Sequence, residues 1–157
     1  MSSTDVSGKT GQTESALGVD MNLEVLTLPV ADVDRSKAFY QSLGWRLDID
    51  LVVSNEVRSV QFTPPHSGCS IQFGKGRTAA EPGSSQGMIL VVTDIDAARG
   101  DLIKRGVNVS EVQEMKPPGF DAPGRSYFAR ASFSDPDGNG WELQEITTRL
   151  PGRTWEN

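Results

Sequence analysis

The chain has 157 residues, with 15 Lys and Arg against 21 Asp and Glu and a net charge of −6. This length fits one domain or two small fused modules. A single His and a single Cys exclude a Cys/His zinc cluster and a disulfide within the chain. The basic residues are scattered, so we expect no nucleic-acid partner. Because no apolar run approaches the roughly 20 residues that cross a bilayer, we expect no membrane partner and a soluble, cytoplasmic protein.

The first patterned segment begins at Leu23. Residues 1–20 are rich in Ser, Thr and Gly, which predicts a disordered tail. The run LEVLTLPV then predicts a largely buried strand. Asp32 and Asp34 offer helix N-caps and Gly44 marks a helix end, so the segment indicates a strand, a tight turn and a helix of about three turns.

The same pattern returns 62 residues later, in QGMILVVTDIDAARGDLIKRGV. Asp94 and Asp96 offer the caps, and Gly106 marks the helix end. The positions that are identical in both copies include Leu28/Leu90, Val30/Val92, Asp32/Asp94, Asp34/Asp96 and Gly44/Gly106. This register predicts an internal duplication.

Each half continues with three strand-like stretches. They are WRLDIDLVV, NEVRSVQFTPP and CSIQFG in the first half, and VNVSEV, SYFARASFSDP and WELQEI in the second. We predict an α+β domain at residues 21–147 with two tandem βαβββ modules, 21–75 and 86–147, and a C-terminal tail at 148–157. A polar linker, GKGRTAAEPGSSQG, joins the halves. The irregular insert from Gln113 to Arg125 is typical of a lid or binding loop.

The stretches LPVADVDRSKAFYQSLGWRL, LVVTDIDAARGDLIKRGV and FSDPDGNGWELQEI resemble the vicinal oxygen chelate superfamily. That superfamily groups glyoxalase I, bleomycin-resistance proteins, fosfomycin-resistance enzymes and extradiol dioxygenases. The resemblance covers about residues 22–147, and the DPDGN turn is its most specific part. It implies curled mixed sheets around a cavity, with the helices outside. It also implies a homodimer that binds a small molecule, with paired modules from one chain or exchanged between two.

The resemblance also implies where metal-dependent relatives hold a divalent ion. Those four positions fall here on Val25, Gln72, Gly87 and Glu142, and two of them have no donor side chain. A shift of two residues would replace Gln72 by Ser70. One amide and one carboxylate without an imidazole make a weak site for a transition metal. We therefore expect no cofactor, with a reduced divalent-metal site as the alternative.

Glu142 follows Trp141 and precedes Leu143, so on a strand its side chain faces away from both. If its neighbours pack under the helices, Glu142 points into the cavity. There it is either a general base or polar anchor, or the partner of an inward arginine such as Arg58 or Arg130.

Other residues suit ligand contact. Gln72 and Gln144 share the inward side, where an amide hydrogen-bonds either a ligand or a neighbouring strand. Tyr127 and Phe120 suggest a stacking wall for a planar ligand, whereas core packing is the plainer account of Phe128.

Several conspicuous residues are predicted to be structural. We expect Trp45 to be a packing anchor, Cys69 a buried thiol and His66 a solvated turn residue. Asp135 and Asp137 fit turn chemistry, with no catalytic role.

Three classes of function follow. The first is a binding protein of the bleomycin-resistance kind, which holds a small organic molecule in a metal-free cavity for sequestration or resistance. The second is a lyase or isomerase that uses Glu142 as a general base or a reduced metal site. The third is an interaction protein whose cavity is plugged by its own side chains.

Overall fold

Two four-stranded sheets, each with one helix, make up the computed structural model, which describes residues 18–120 and 124–150. The first module contains β1 (Val25–Thr27), α1 (Val33–Ser42), β2 (Arg46–Val52), β3 (Arg58–Thr63) and β4 (Ser70–Lys75). The second contains β5 (Met88–Val92), α2 (Ile95–Lys104), β6 (Gln113–Glu114), β7 (Ala129–Ser134) and β8 (Gly140–Glu145). In these residues no helix is long and apolar enough to span a membrane.

The two sheets have the same topology. Their strand orders are β1-β4-β3-β2 and β5-β8-β7-β6, with the first strand of each module parallel to the last and the other pairs antiparallel. This arrangement confirms the predicted pair of βαβββ modules. Most of the predicted N-terminal tail, residues 1–17, lies outside the described residues, as do residues 151–157 of the predicted C-terminal tail.

Both helices begin and end where the sequence predicts. Asp32 and Asp94 are the N-caps, and each accepts a hydrogen bond at 3.0 Å from the backbone N–H three residues on. Asp34 and Asp96 lie within the first helical turn instead of at the cap. A glycine with positive φ follows each helix, as its lack of a Cβ permits: Gly44 and Gly106.

A single core joins the modules on the helix side of both sheets. Tyr40 of α1 is fully buried and lies 6.2 Å from the Trp141 ring of β8, centroid to centroid. Trp45 meets Trp141 edge-on at 5.2 Å, which confirms its role as a packing anchor. Since the helix-side faces share this core, the opposite face of each sheet points away from it.

The DPDGN turn ties the second module to the first. The buried Asp135 accepts hydrogen bonds from two backbone N–H groups of its own turn, which confirms the predicted turn chemistry. Its other oxygen accepts from the Tyr40 hydroxyl at 2.9 Å, and the Trp141 indole N–H donates to that hydroxyl at 3.0 Å. Asn139 donates to the Pro29 carbonyl at 2.9 Å. Burial, together with Asp135, raises the pKa of Tyr40, so its hydroxyl keeps its proton.

The stretch VNVSEV, residues 107–112, does not form the predicted strand. Only the two-residue strand β6, which directly follows this stretch, is present. Ser110 donates its N–H to the Ser132 carbonyl at 2.9 Å. The return bond from the Ser132 N–H goes to the Ser110 hydroxyl, not to its carbonyl. The side chain thus takes the place of a main-chain acceptor, and the strand ladder is not established here.

Candidate functional site

A cavity of about 570 Å³ lies on the outer face of the second sheet, away from the helices. Strands β7 and β8 form its floor. The segment around β6, the residues before β7 and the residues after β8 form its walls. The lining residues are Ser110, Gln113, Met115, Pro117, Phe120, Tyr127, Phe128, Arg130, Ala131, Ser132, Glu142, Gln144 and Leu150.

The floor follows from the alternation of side chains along β8. Trp141 and Leu143 are buried in the core, whereas Glu142 and Gln144 face the cavity, as predicted. On β7 the exposed Arg130 lies opposite Gln144 in the strand register. The sheet therefore brings one cation, one carboxylate and one amide to the same surface.

An ion pair crosses this floor. Arg130 donates from a terminal nitrogen to Glu142, and the side chains are 47% and 30% exposed. This pairing agrees with one of the two alternatives that the sequence leaves open for Glu142. The Arg130 Nε also lies 3.5 Å from the Tyr127 carbonyl oxygen. Since a guanidinium has five N–H donors, the ion pair leaves others available to a ligand in the cavity that Arg130 lines.

Gln144 positions the wall. The side chain of Gln144 is nearly buried, and its amide nitrogen donates to the Tyr127 carbonyl at 3.0 Å. The Tyr127 N–H donates to the Glu145 carbonyl at 2.7 Å, and the Tyr127 hydroxyl accepts from the Leu150 N–H at 3.2 Å. These three bonds hold Tyr127 at a φ of 72°, in the left-handed region that a bulky residue rarely adopts.

Three aromatic rings form the predicted wall. Phe120 meets Phe128 edge-on with centroids 4.5 Å apart, and its centroid is 6.2 Å from that of Tyr127. Phe128 is buried at the base, in agreement with a packing role, and the Lys116 ammonium lies 5.4 Å from its ring centroid. Phe120 and Tyr127 are the rings that a ligand can reach.

The end of the insert is fixed to α2. Arg125 donates to Glu145 at 3.1 Å and also binds Asp96. Glu145 in turn accepts from the Ile95 N–H, at the first residue of α2, at 3.0 Å. The hydrogen bonds to Asp96 and Glu145 raise the pKa of Arg125. The residues that lead into the aromatic wall are thereby anchored to the framework.

Two predicted site residues lie elsewhere. Arg58 does not face the cavity: it lies on the helix side of the first sheet, bound to Asp34 at 2.8 Å and to Asp50 at 2.9–3.0 Å. Gln72 lies on the first sheet, where its amide donates to Thr27 at 2.8 Å. Neither residue contributes to this cavity, because the cavity belongs to the second sheet.

Sequence reasoning missed several lining residues. Ser132 follows Arg130 at the spacing of two that a strand surface requires, and this alternation could have identified it. The sequence predicts that Leu150 lies in a C-terminal tail. It reaches the cavity because Ser126 accepts from the N–H groups of residues 147 and 148 and donates to the Thr148 carbonyl, which fixes the chain after β8. No local pattern indicates that bond.

The remaining conspicuous residues stand apart. Cys69 is partly buried, and burial raises the pKa of its thiol, in agreement with a structural role. His66 is exposed in the β3–β4 turn at a φ of 62°. Neither residue approaches the cavity lining.

The family model for the Glyoxalase/Bleomycin resistance protein/Dioxygenase superfamily matches residues 22–143. The chain belongs to this superfamily. Among solved members, TnmS3, an antibiotic binding protein from Streptomyces sp. CB03234, is 27% identical with a TM-score of 0.67 and covers 83% of this chain and 99% of its own. A superfamily member from Sphaerobacter thermophilus DSM 20745 is 29% identical with a TM-score of 0.64, covering 80% and 98%. None of the curated proteins compared with the chain matches it.

The superfamily positions that hold a metal in some relatives do not fit one here. Val25 and Gly87 supply no donor, the Gln72 amide is bound to Thr27, and Glu142 is paired with Arg130. Across residues 18–120 and 124–150, no three His, Cys, Asp or Glu side chains lie close enough to hold an ion. This donor set does not match the preferences of zinc, nickel or iron.

Proposed function

We propose that the protein binds a small, flat organic molecule in this cavity without a metal, for sequestration or resistance. The observation that carries the proposal is the wall of Phe120 and Tyr127 above the Arg130–Glu142 pair. TnmS3, which is 27% identical over most of its length, is an antibiotic binding protein and supports the same class of function.

The physical match is between a ring and the aromatic wall. A cavity of about 570 Å³ lies within the range of about 300–1,000 Å³ that drug-sized molecules occupy. Phe120 and Tyr127 offer ring faces and edges, and each aromatic contact contributes about 1 kcal/mol beyond burial of area. Arg130 fixes the orientation by donating to a carbonyl or phenol oxygen of the ligand.

We propose further that a homodimer covers the cavity. The outer faces of both sheets carry exposed apolar side chains, among them Ile49 and Leu51 on β2 and Ile89 and Val91 on β5. Exposed apolar area of this kind favours a protein partner. The first sheet of a second copy, laid over the second sheet, would bury both sets and bring Gln72 of the partner subunit towards the ligand.

The test is a thermal-shift screen of flat aromatic compounds, followed by calorimetric titration of the hits. It is run on the wild type and on Phe120→Ala, with Ile103→Ala as the control, because Ile103 is an exposed apolar residue on α2. We expect hits that bind the wild type and the control equally and bind Phe120→Ala at least about tenfold more weakly. EDTA should change nothing. Stoichiometric metal after purification, or stabilisation that requires added zinc, would contradict the proposal.

Catalysis by Glu142 is the second candidate function. This carboxylate is partly exposed, and it lines both the cavity described above and a second cavity that adjoins it. A lyase or isomerase would use it as the base that takes a proton next to a carbonyl. Glu142→Gln separates the two functions. If Glu142 is the base, the substitution should abolish turnover; if Glu142 is only a contact in the cavity wall, ligand affinity should change by less than about tenfold. Because Arg130 engages the carboxylate, binding is the favoured function.

A further inference from the structure

A second cavity, of about 670 Å³, adjoins the first. The two share Ser110, Ser132 and Glu142, so they meet along one stretch of the floor. The second cavity continues beyond Ser132 to the end of β7 and is bounded by residues 106–108 after α2 and by Phe39 of α1.

The linings differ in chemistry. The first cavity is bounded by aromatic rings, Met115, Pro117 and Leu150. The second offers the hydroxyls of Ser132 and Ser134, the exposed amide of Asn108, and the partly buried ring of Phe39. Short hydroxyl and amide groups both donate and accept hydrogen bonds, and an aromatic ring packs against the C–H face of a saturated ring.

Charge narrows the class of group that fits. Among the described residues that line the second cavity, Glu142 alone is charged, so the lining has no cation to receive an anion. Since Arg130 already pairs with that carboxylate, the cavity offers little net attraction to a cation either. A neutral, polar group with several hydroxyls is the remaining match.

The geometry also sets a length. Arg130 lines the first cavity and Ser134 the second, four residues apart on β7. At about 3.3 Å per residue, the two positions are separated by about 13 Å. A single ligand that occupies both cavities therefore has two parts along its long axis.

From these observations we infer that the second cavity holds a neutral, hydroxyl-rich group, such as a sugar, attached to the flat ring system in the first cavity. This inference rests on the proposed function, since the ring system must occupy the first cavity. It makes Ser134 and Asn108 determinants of specificity.

The experiment compares matched compounds by calorimetric titration. The probes are 4-methylumbelliferone and luteolin, each as the free compound, the β-D-glucoside and the β-D-glucuronide. Each is measured with the wild type, with Ser134→Phe, which fills the second cavity, and with Ser54→Phe. Ser54 is an exposed serine in the β2–β3 turn of the first module and lines neither cavity, so it serves as the control.

We expect each glucoside to bind the wild type and the control about tenfold more tightly than the free compound. The glucuronide should lose that gain because its carboxylate would lose water in a cavity whose lining has no cation. Ser134→Phe should bring the glucoside back to the affinity of the free compound and leave the free compound within about threefold of wild type. If the free compounds bind and the glucosides gain nothing, the second cavity has no such role. If neither free compound binds, it is the proposed function that fails.

Discussion

Tyr127 is the residue whose conformation is tied most directly to the candidate site. A bulky side chain in the left-handed region costs on the order of 1–3 kcal/mol. The cost is sustained here by bonds to Gln144, Glu145 and Leu150, and the result is a ring directed at the cavity. The strain is therefore offset by the same contacts that build the wall.

Tyr127→Gly should separate stability from binding. Glycine adopts the same backbone without strain, which offsets the lost ring contacts, so the free energy of unfolding should change by less than about 1 kcal/mol. Affinity for a flat ligand should fall at least about tenfold. Urea unfolding and calorimetric titration measure the two effects. Tyr127→Phe keeps the ring and should bind normally; a loss of stability well above 1 kcal/mol in Tyr127→Gly would refute the account of strain.

For single residues, the sequence predicts well which face of a strand a side chain lies on, and predicts poorly which distant residues it contacts. Alternation along WELQEI correctly places Glu142 and Gln144 on the cavity face. The same alternation puts Arg58 on the side of the buried Val60 and Phe62, and so on the helix side, a signal that was available in the sequence. The φ of Tyr127 depends on three contacts that are distant in sequence or set by tertiary structure, and no local pattern predicts it.

Between elements, ion pairs attach α1 to the first sheet. Arg58 of β3 bridges Asp34 of α1 and Asp50 of β2, and Asp50 also accepts from Lys37 of α1 at 2.8 Å. The hydrogen bonds from Arg58 and then Lys37 lower the pKa of Asp50 well below its ordinary value. This carboxylate is 20% exposed and is shared by two cations, so it contributes more than an isolated surface pair.

Asp50→Asn should therefore destabilise the protein in a pH-dependent way. A carboxylate with a lowered native pKa stabilises fully above its unfolded pKa of about 3.9, and the stabilisation is lost as the pH falls through the native value. At pH 7 the variant should lose about 1 kcal/mol, and the difference from wild type should shrink below about pH 4. Urea unfolding at a series of pH values measures it. Asp101→Asn, in an exposed pair with Arg105, is the control and should be nearly neutral; a difference that grows in acid would contradict the assignment.

Helices and strands were the most predictable elements. The caps, helix ends and duplicated order of strands all follow from local residue types. The exception, VNVSEV, has the composition of a strand, but the hydroxyl of Ser110 replaces a ladder acceptor. How two modules of the same topology are set against each other is not encoded by periodicity, so the sequence could not show that Gln72 and Glu142 do not line the same cavity within one chain.

For the molecule as a whole, the Tyr40 hydroxyl is a buried polar contact between the modules. Tyr40→Phe would leave the indole N–H of Trp141 without its acceptor and would remove one of two donors to an oxygen of the buried Asp135, which keeps the Asn139 amide, at a cost of about 1–3 kcal/mol. We expect the free energy of unfolding to fall by about 2 kcal/mol, with ligand affinity retained. Equilibrium urea unfolding measures the change. Tyr127→Phe removes a more exposed hydroxyl, so its free energy of unfolding should fall much less. Equal losses in the two variants would contradict a special contribution of the buried Tyr40 hydroxyl to stability.

The proposed homodimer can be tested with two substitutions on β2. Ile49 lies on the outer face of β2, whereas Val52 lies opposite Arg58 on the helix side of the same strand. We expect the wild type to have about twice the 17.0 kDa mass of the chain in light scattering. Ile49→Lys should reduce it to the monomer mass and weaken ligand binding, and Val52→Lys should do neither. A monomeric wild type, or equal effects of both variants, would contradict the proposal that a second copy of the chain covers the cavity.

The linker between the modules has a composition typical of flexible segments, yet its C-terminal part is bound to both modules. The Gly83 N–H donates to the Pro29 carbonyl at 3.1 Å, and the Ser85 N–H donates to the Asn139 side chain at 3.1 Å. A Cβ on Gly83 would lie 2.1 Å from the Asp137 carbonyl oxygen, so no other residue fits without displacing the DPDGN turn. For protein engineering, this excludes Gly83–Gln86 as a place to insert a tag or new chain termini, and favours the exposed β2–β3 turn around Asn55 instead.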